Sequence, residues 1–209
     1  MSLAGLFLIV YLIVHLGINL LVLRNDPEAF NRAAHFMGTN PVIRVMEVIL
    51  FGGFLIHMIY GVLVSIQNWF ARPVGYNKSN NSQTSFFSKY MFHTAVIVTI
   101  FLVLHLLDFY IKAKILGDAP DITYADGKTM HNLGELVITR FKIGWVVIVY
   151  IVALFGLGFH LHHGFQSAFQ TLGLNHPVYT PVIKALGLIY TLLITAGFIS
   201  IPIIVYFFK

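Results

Sequence analysis

The sequence predicts an all-α membrane protein with five transmembrane helices, and three observations carry that prediction. Of the 209 residues 58% are hydrophobic and only 10% charged, where soluble domains carry about 25% charged residues. Five apolar runs, at about 3–23, 42–70, 90–115, 141–164 and 182–208, each reach the roughly 20 residues a helix needs to cross a hydrocarbon core. No internal repeat or low-complexity tract divides the chain, which reads as one domain over residues 1–209.

The first run, SLAGLFLIVYLIVHLGINLLVL, has one ionisable residue, His15. It lacks the basic leading region and small-residue cleavage site of a signal peptide and is too long to be one, so it is read as a membrane helix. A polar connection with Arg24, Asp26, Glu28, Arg32 and His35 follows, and Asn40-Pro41 marks the entry to the second run. That run holds His57 near its middle, with Gly53 and Gly61 four residues either side. Residues 71–89, rich in Asn and Ser, form a surface loop. The third run, YMFHTAVIVTIFLVLHLLDFYIKAKI, has His93 near its start and His105 deep inside. Residues 116–140 are the longest excursion, with Asp118, Asp121, Asp126 and Glu135. The fourth run places His160 between Gly156 and Gly164, again at a spacing of four. Such glycines stack on one helix face, where they fit either a bulky planar group or close helix packing. A turn through Asn175-His176-Pro177 leads to the fifth run, which has no histidine or carboxylate and closes the bundle.

Ionisable side chains inside a membrane are rare and mark function by default. A single one is as readily a packed histidine bonding its neighbour. Here His15, His57, His105 and His160 stand on four separate runs, with no cysteine in the chain. The absence of cysteine removes disulfides, thiolate iron–sulfur ligation and covalent haem attachment. Imidazole pairs suit the iron of a non-covalently held haem, whereas zinc prefers a closed cluster. At ~1.5 Å rise per residue, His15 and His105 lie roughly 20 and 25 Å from the face where the first and third runs begin, and His57 and His160 roughly 18 and 9 Å. Two haems at two depths, in a bundle of the first four helices, is the simplest reading. His93 and His105 do not share one seam, because twelve residues rotate about 120° off the starting face.

SLAGLFLIVYLIVHLGINL, the H-x-x-D-F of HLLDFY and FHLHHGFQSAFQTLG resemble the cytochrome b subunit of di-haem succinate:quinone oxidoreductases, in the single-polypeptide, five-helix branch that includes fumarate reductases. The similarity runs over nearly the whole chain and is most specific in the fourth run. It implies two haems b, one held by His15 and His105, the other, nearer an iron–sulfur subunit, by His57 and His160. It also implies a flavoprotein subunit beyond the iron–sulfur one, a quinone (menaquinone) as substrate, a bacterial cytoplasmic membrane, and an amino terminus in the cytoplasm. A strict count of Lys and Arg would put that terminus outside. Two departures stand out. Family members usually have a longer segment before the first helix. Some fumarate reductases of the branch carry, two residues before the fourth ligand, a glutamate associated with proton movement; that position here is Gly158.

His93, His162 and His163 are candidates for haem propionates. His35, His131 and His176 read as surface residues. Glu47 and Asp108 are the candidates for quinone proton exchange, with Arg44 the nearest partner for Glu47. The quinone is expected beyond the His15–His105 haem, and the acid-free loops 71–89 and 172–181 are expected to dock the iron–sulfur subunit. The chain has no flavin-binding fold and would not bind succinate itself. No basic, aromatic-interleaved surface points to nucleic acid; membrane lipid is the surrounding partner. Two further readings stay open: the haem anchor of another quinone-linked dehydrogenase, such as a formate dehydrogenase or hydrogenase, and a histidine-based proton or metal transporter.

Overall fold

In the computed structural model, which describes residues 1–71 and 90–209, five helices are long and apolar enough to cross a membrane. Helix α1 spans Ser2–Leu20 and tightens into a 3-10 turn at Leu21–Leu23. Helix α2, Glu28–Thr39, is short and amphipathic. Helix α3, Pro41–Phe70, starts where the sequence signals it. The Asn40 side chain accepts from the Val42 and Ile43 amides, and Pro41 fills the first turn, where its missing N–H costs nothing. Helix α4, Met91–His105, continues as a π-helical stretch, Leu106–Leu116, that ends on Gly117 at φ 68°. A small hairpin follows, β1 (Asp121–Thr123) antiparallel to β2 (Thr129–His131), then α5 (Leu133–Phe141), α6 (Gly144–Thr171) and α7 (Thr180–Phe208).

The fourth apolar run differs most from its sequence boundaries. Phe141 belongs to α5, and α6 runs past Gly164 to Thr171. QSAFQT contains no helix breaker, and the stop is Gly173, left-handed at φ 78°. Its N–H bonds Gln170 O and the next bonds Phe169 O, both at 3.0 Å, which satisfies the last carbonyls of the helix.

Helix α6 is the centre of the bundle: half of its apolar window is buried, against none of that of α3. Small residues let its neighbours approach. A methyl at Gly156 would stand 2.8 Å from Ile97 Cγ2 of α4, and one at Gly158 2.7 Å from Thr195 Oγ1 of α7. Gly156 is therefore a helix-packing position. The other three flanking glycines have more room: a methyl would stand 3.3 Å from Phe7 at Gly53, 3.7 Å from Met1 at Gly61 and 3.8 Å from Met91 at Gly164. Helix α3 lies along α1 but reaches α4 and α6 mainly through side chains, including Met58 to Thr99 and Phe51 against Tyr110. Between α3 and α4 the contacts are thus made by side chains.

Apolar packing falls into two clusters. One, of Ile9, Leu154, Leu157, Leu161 and Ile194, lies in the span; the other, including Val22, Phe30, Phe141, Tyr150 and Val205, ties the far end to α2 and α5. There the connections that the sequence marked only as polar fold into a cap. Asn31, fully buried, donates to Tyr124 Oη and Asn132 Oδ1 and accepts from the Gly134 amide, each at 2.8 Å. Outside it, Arg32 pairs with Glu28 and with Asp126. The Asp126 carboxyl is held below its ordinary range, first by the Lys128 amide and then by Arg32.

Candidate functional site

The four half-buried histidines of the span meet in two pairs. The rings of His15 on α1 and His105 on α4 are 5.7 Å apart between centroids and nearly perpendicular. Those of His57 on α3 and His160 on α6 are 6.2 Å apart, at 76°. Three helices give the distance between the two levels. Gly5 of α1 lies against His57, ten residues before His15. Thr94 of α4 lies 3.5 Å from His160, eleven residues before His105. Tyr150 of α6 touches the His105 ring at 6.4 Å, ten residues before His160. Each count corresponds to roughly 15 Å along a helix. His160 itself is eleven residues from the end of α6, roughly 17 Å, deeper than the roughly 9 Å expected from the sequence.

The donor chemistry of each pair fits a metal held between two imidazoles. With metal–nitrogen bonds of about 2 Å, two imidazoles on opposite sides of one ion stand roughly 6 Å apart between ring centres. On His15 the Tyr11 hydroxyl lies 3.2 Å from Nδ1, and on His160 Thr94 Oγ1 occupies the same side, which leaves Nε2 as the nitrogen that could face a metal. Asn19 adds a bond to the His15 carbonyl at 2.8 Å. On His57 and His105, Nδ1 is buried with no hydrogen-bond partner, a cost native interiors normally avoid. Among the described residues no three His, Asp or Glu side chains converge on one point. The arrangement is two pairs, not a cluster.

The propionate candidates lie at the His57–His160 level. His93 is exposed, next to Thr94, with its ring against Tyr90 and Phe92. His162 and His163 are half-buried on the last turns of α6, and Gln166 lies 3.4 Å from His162 Nε2.

The two acid candidates lie near the other end and are handled differently. Asp108, on the π-helical stretch, is 7% exposed. It pairs with Arg140 of α5 at 2.7 Å and accepts from the Tyr150 hydroxyl at 2.9 Å. Tyr150 is in turn ringed by Phe101, Phe109 and Phe141. Glu47 is paired across helices. Its Oε1 accepts from Tyr110 Oη at 2.7 Å, and Lys114 Nζ lies 2.8 Å from Oε1 and 2.5 Å from Oε2. Arg44, its expected partner, instead donates to the Gly38 carbonyl. Lys114, Tyr110, Arg140 and Tyr150 were not visible as site residues in the sequence, because each pairing joins helices whose register the sequence does not set.

The peripheral histidines behave as surface residues: His35 and His176 are exposed, and His131 pairs with Asp121 across the hairpin. Of the expected docking surface, 172–181 is exposed at the start of α7, while 72–89 lies outside the described residues.

No protein-family model matches the chain. The succinate dehydrogenase cytochrome b558 subunit of Bacillus subtilis (strain 168) is 27% identical over 171 residues, covering 79% of this chain and 73% of that one. No solved structure matches. The similarity supports kinship with cytochrome b subunits of succinate dehydrogenases.

Proposed function

We propose that this chain is the di-haem cytochrome b anchor of a succinate dehydrogenase or fumarate reductase, passing electrons between an iron–sulfur subunit and a membrane quinone. The observation that carries the reading is the meeting of four intramembrane histidines from four helices in two pairs. The similarity to a succinate dehydrogenase cytochrome b558 subunit favours it over other haem anchors. The pairwise arrangement favours it over a metal transporter, which would gather ligands into one closed shell.

His15 with His105, and His57 with His160, would hold one haem b each, and haem supplies a one-electron carrier at each level. Tyr11 and Asn19, both within 3.4 Å of His15 Nδ1, and Thr94, beside His160 Nδ1, orient two of the four imidazoles. Phe101 and Phe109 pack on His105 and exclude water there. The end of α6 and residues 172–181 would meet the iron–sulfur subunit, on the side of His57 and His160. His93, His162 and His163 are the groups there for haem propionates.

A quinone, menaquinone in our reading, then belongs near His15 and His105. Its two-electron reduction takes up two protons, which a positioned side chain must exchange. Glu47 is the candidate. Asp108, enclosed by Arg140 and Tyr150, serves instead to hold α4, α5 and α6 around His105.

The test is the visible spectrum of the purified complex with haem counted per chain. Two b-type haems in the parent and one in His160→Ala are expected. Retention of both in His160→Ala would sink the assignment.

A further inference from the structure

Of the two acid candidates, Glu47 is the more accessible. Its side chain is 21% exposed and that of Lys114 38%, against 10% for Asp108. It lies where α3 and α4 are joined by side chains. One turn along α3, the Phe51 ring stands 5.2 Å from that of Tyr110, edge to face. Glu47 and Phe51 from α3, with Tyr110 and Lys114 from the π-helical stretch after α4, therefore form a single seam between the helices. Both carboxylate oxygens are engaged, and both Tyr110 and Lys114 come from the same helix at a spacing of four. Lys114 also lies 5.4 Å over the Tyr110 ring, so its ammonium is set by two contacts at once. A carboxylate inside a membrane persists only with such a partner, and Arg44 on its own helix turns away to Gly38.

We propose that Lys114 and Tyr110 are positioning residues for the quinone reaction: from the π-helical continuation of α4 they hold the Glu47 carboxylate between α3 and α4, where it meets a quinone arriving from the lipid. The proposal rests on the quinone-reactive reading above. A quinone is dissolved in the bilayer and must arrive between helices, and this seam presents a fixed acid–base group beside an aromatic edge between two of them. Lys114, the most exposed member, links that carboxylate to the far face.

The experiment compares Glu47→Gln, Lys114→Met, Lys114→Arg and Tyr110→Phe in the intact complex. Two rates are read: reduction of the b-type haem by succinate, followed by absorbance, and turnover with a short-chain menaquinone analogue. In Lys114→Met, haem content and haem reduction are expected at parent levels. Its kcat/KM for the quinone should fall roughly ten- to a hundredfold, the scale of loss when a reacting group is misplaced by about an ångström. Lys114→Arg should recover most of that loss. Parent-like quinone kinetics in Lys114→Met would overturn the proposal. If that variant loses haem, Tyr110→Phe, which removes one hydroxyl, decides instead: a lowered kcat/KM supports the clamp and an unchanged one overturns it. Unchanged turnover in Glu47→Gln is a different outcome, because it removes Glu47 from the quinone reaction and the clamp with it.

Discussion

A Cβ on Gly158 of α6 would sit 2.7 Å from Thr195 Oγ1 and 3.5 Å from Thr195 Cβ of α7. The hydroxyl is the first obstacle, and the Thr195 methyl, at 3.2 Å, is also closer than ordinary contact. Any side chain at this position would have to displace that of Thr195.

Gly158→Ala is therefore expected to destabilise by about 1–3 kcal/mol, the usual cost of overpacking. Adding Thr195→Ala should return most of it. Thermal loss of the haem absorbance band measures both, and equal destabilisation in the single and double variants would refute the contact as the cause.

The pairing of the histidines makes a sharper prediction than their number. Substituting His15 or His105 with Ala should erase the same b-type signal, and substituting His57 or His160 the other. Redox titration followed by absorbance separates the two signals. Loss of different signals from His15→Ala and His105→Ala would break the proposed pairs.

Arg140→Met leaves the Asp108 carboxylate buried without its cation. Breaking a buried pair from one side costs about 3–5 kcal/mol, whereas Tyr150→Phe removes one hydrogen bond to a charged group, about 1.5–3 kcal/mol. Because Tyr150 also touches His105, both variants should loosen the haem held by His15 and His105 first. Detergent-induced haem release, monitored by absorbance, gives the order; earlier loss of the other haem would contradict it.

The spans were legible because apolar run length is a local property, and so was the Asn40-Pro41 start of α3. The end of α6 was legible too, in Gly173, but the reading stopped at Gly164 and so set His160 too shallow. What could not be read depends on tertiary contact. The π-helical stretch after His105 is one case: it sends Asp108 toward Arg140 and Tyr150, and Tyr110 and Lys114 toward Glu47. Local spacing offered Arg44 as the partner of Glu47; the actual cation is 67 residues away. The cap was hidden for the same reason, since α2, the hairpin and α5 are short and are stabilised by one another.

Asn31 concentrates that stabilisation, and the last prediction concerns it. Its amide nitrogen donates to Tyr124 and Asn132 while its oxygen accepts from Gly134, so one side chain joins α2, the hairpin and the first turn of α5. Asn132 in turn caps α5 by accepting from the Glu135 amide. Asn31→Ala leaves the Gly134 amide without its acceptor in a buried position, and a buried group left unpaired costs about 1–3 kcal/mol. Asn31→Asp should be worse. It keeps the acceptor for Gly134 but replaces the donating nitrogen with an oxygen that faces Asn132 Oδ1. Both variants are expected to raise amide hydrogen exchange through α2, the hairpin and α5 while sparing the middle of α6. Acid should loosen the same region in the parent. The depressed Asp126 contributes stability that is complete above its unfolded value, about 3.9, and lost as pH falls through its lower folded value. Unchanged exchange across the cap in Asn31→Asp would show that apolar packing by Val22, Phe30 and Val137, and not the Asn31 hydrogen bonds, holds the far end together.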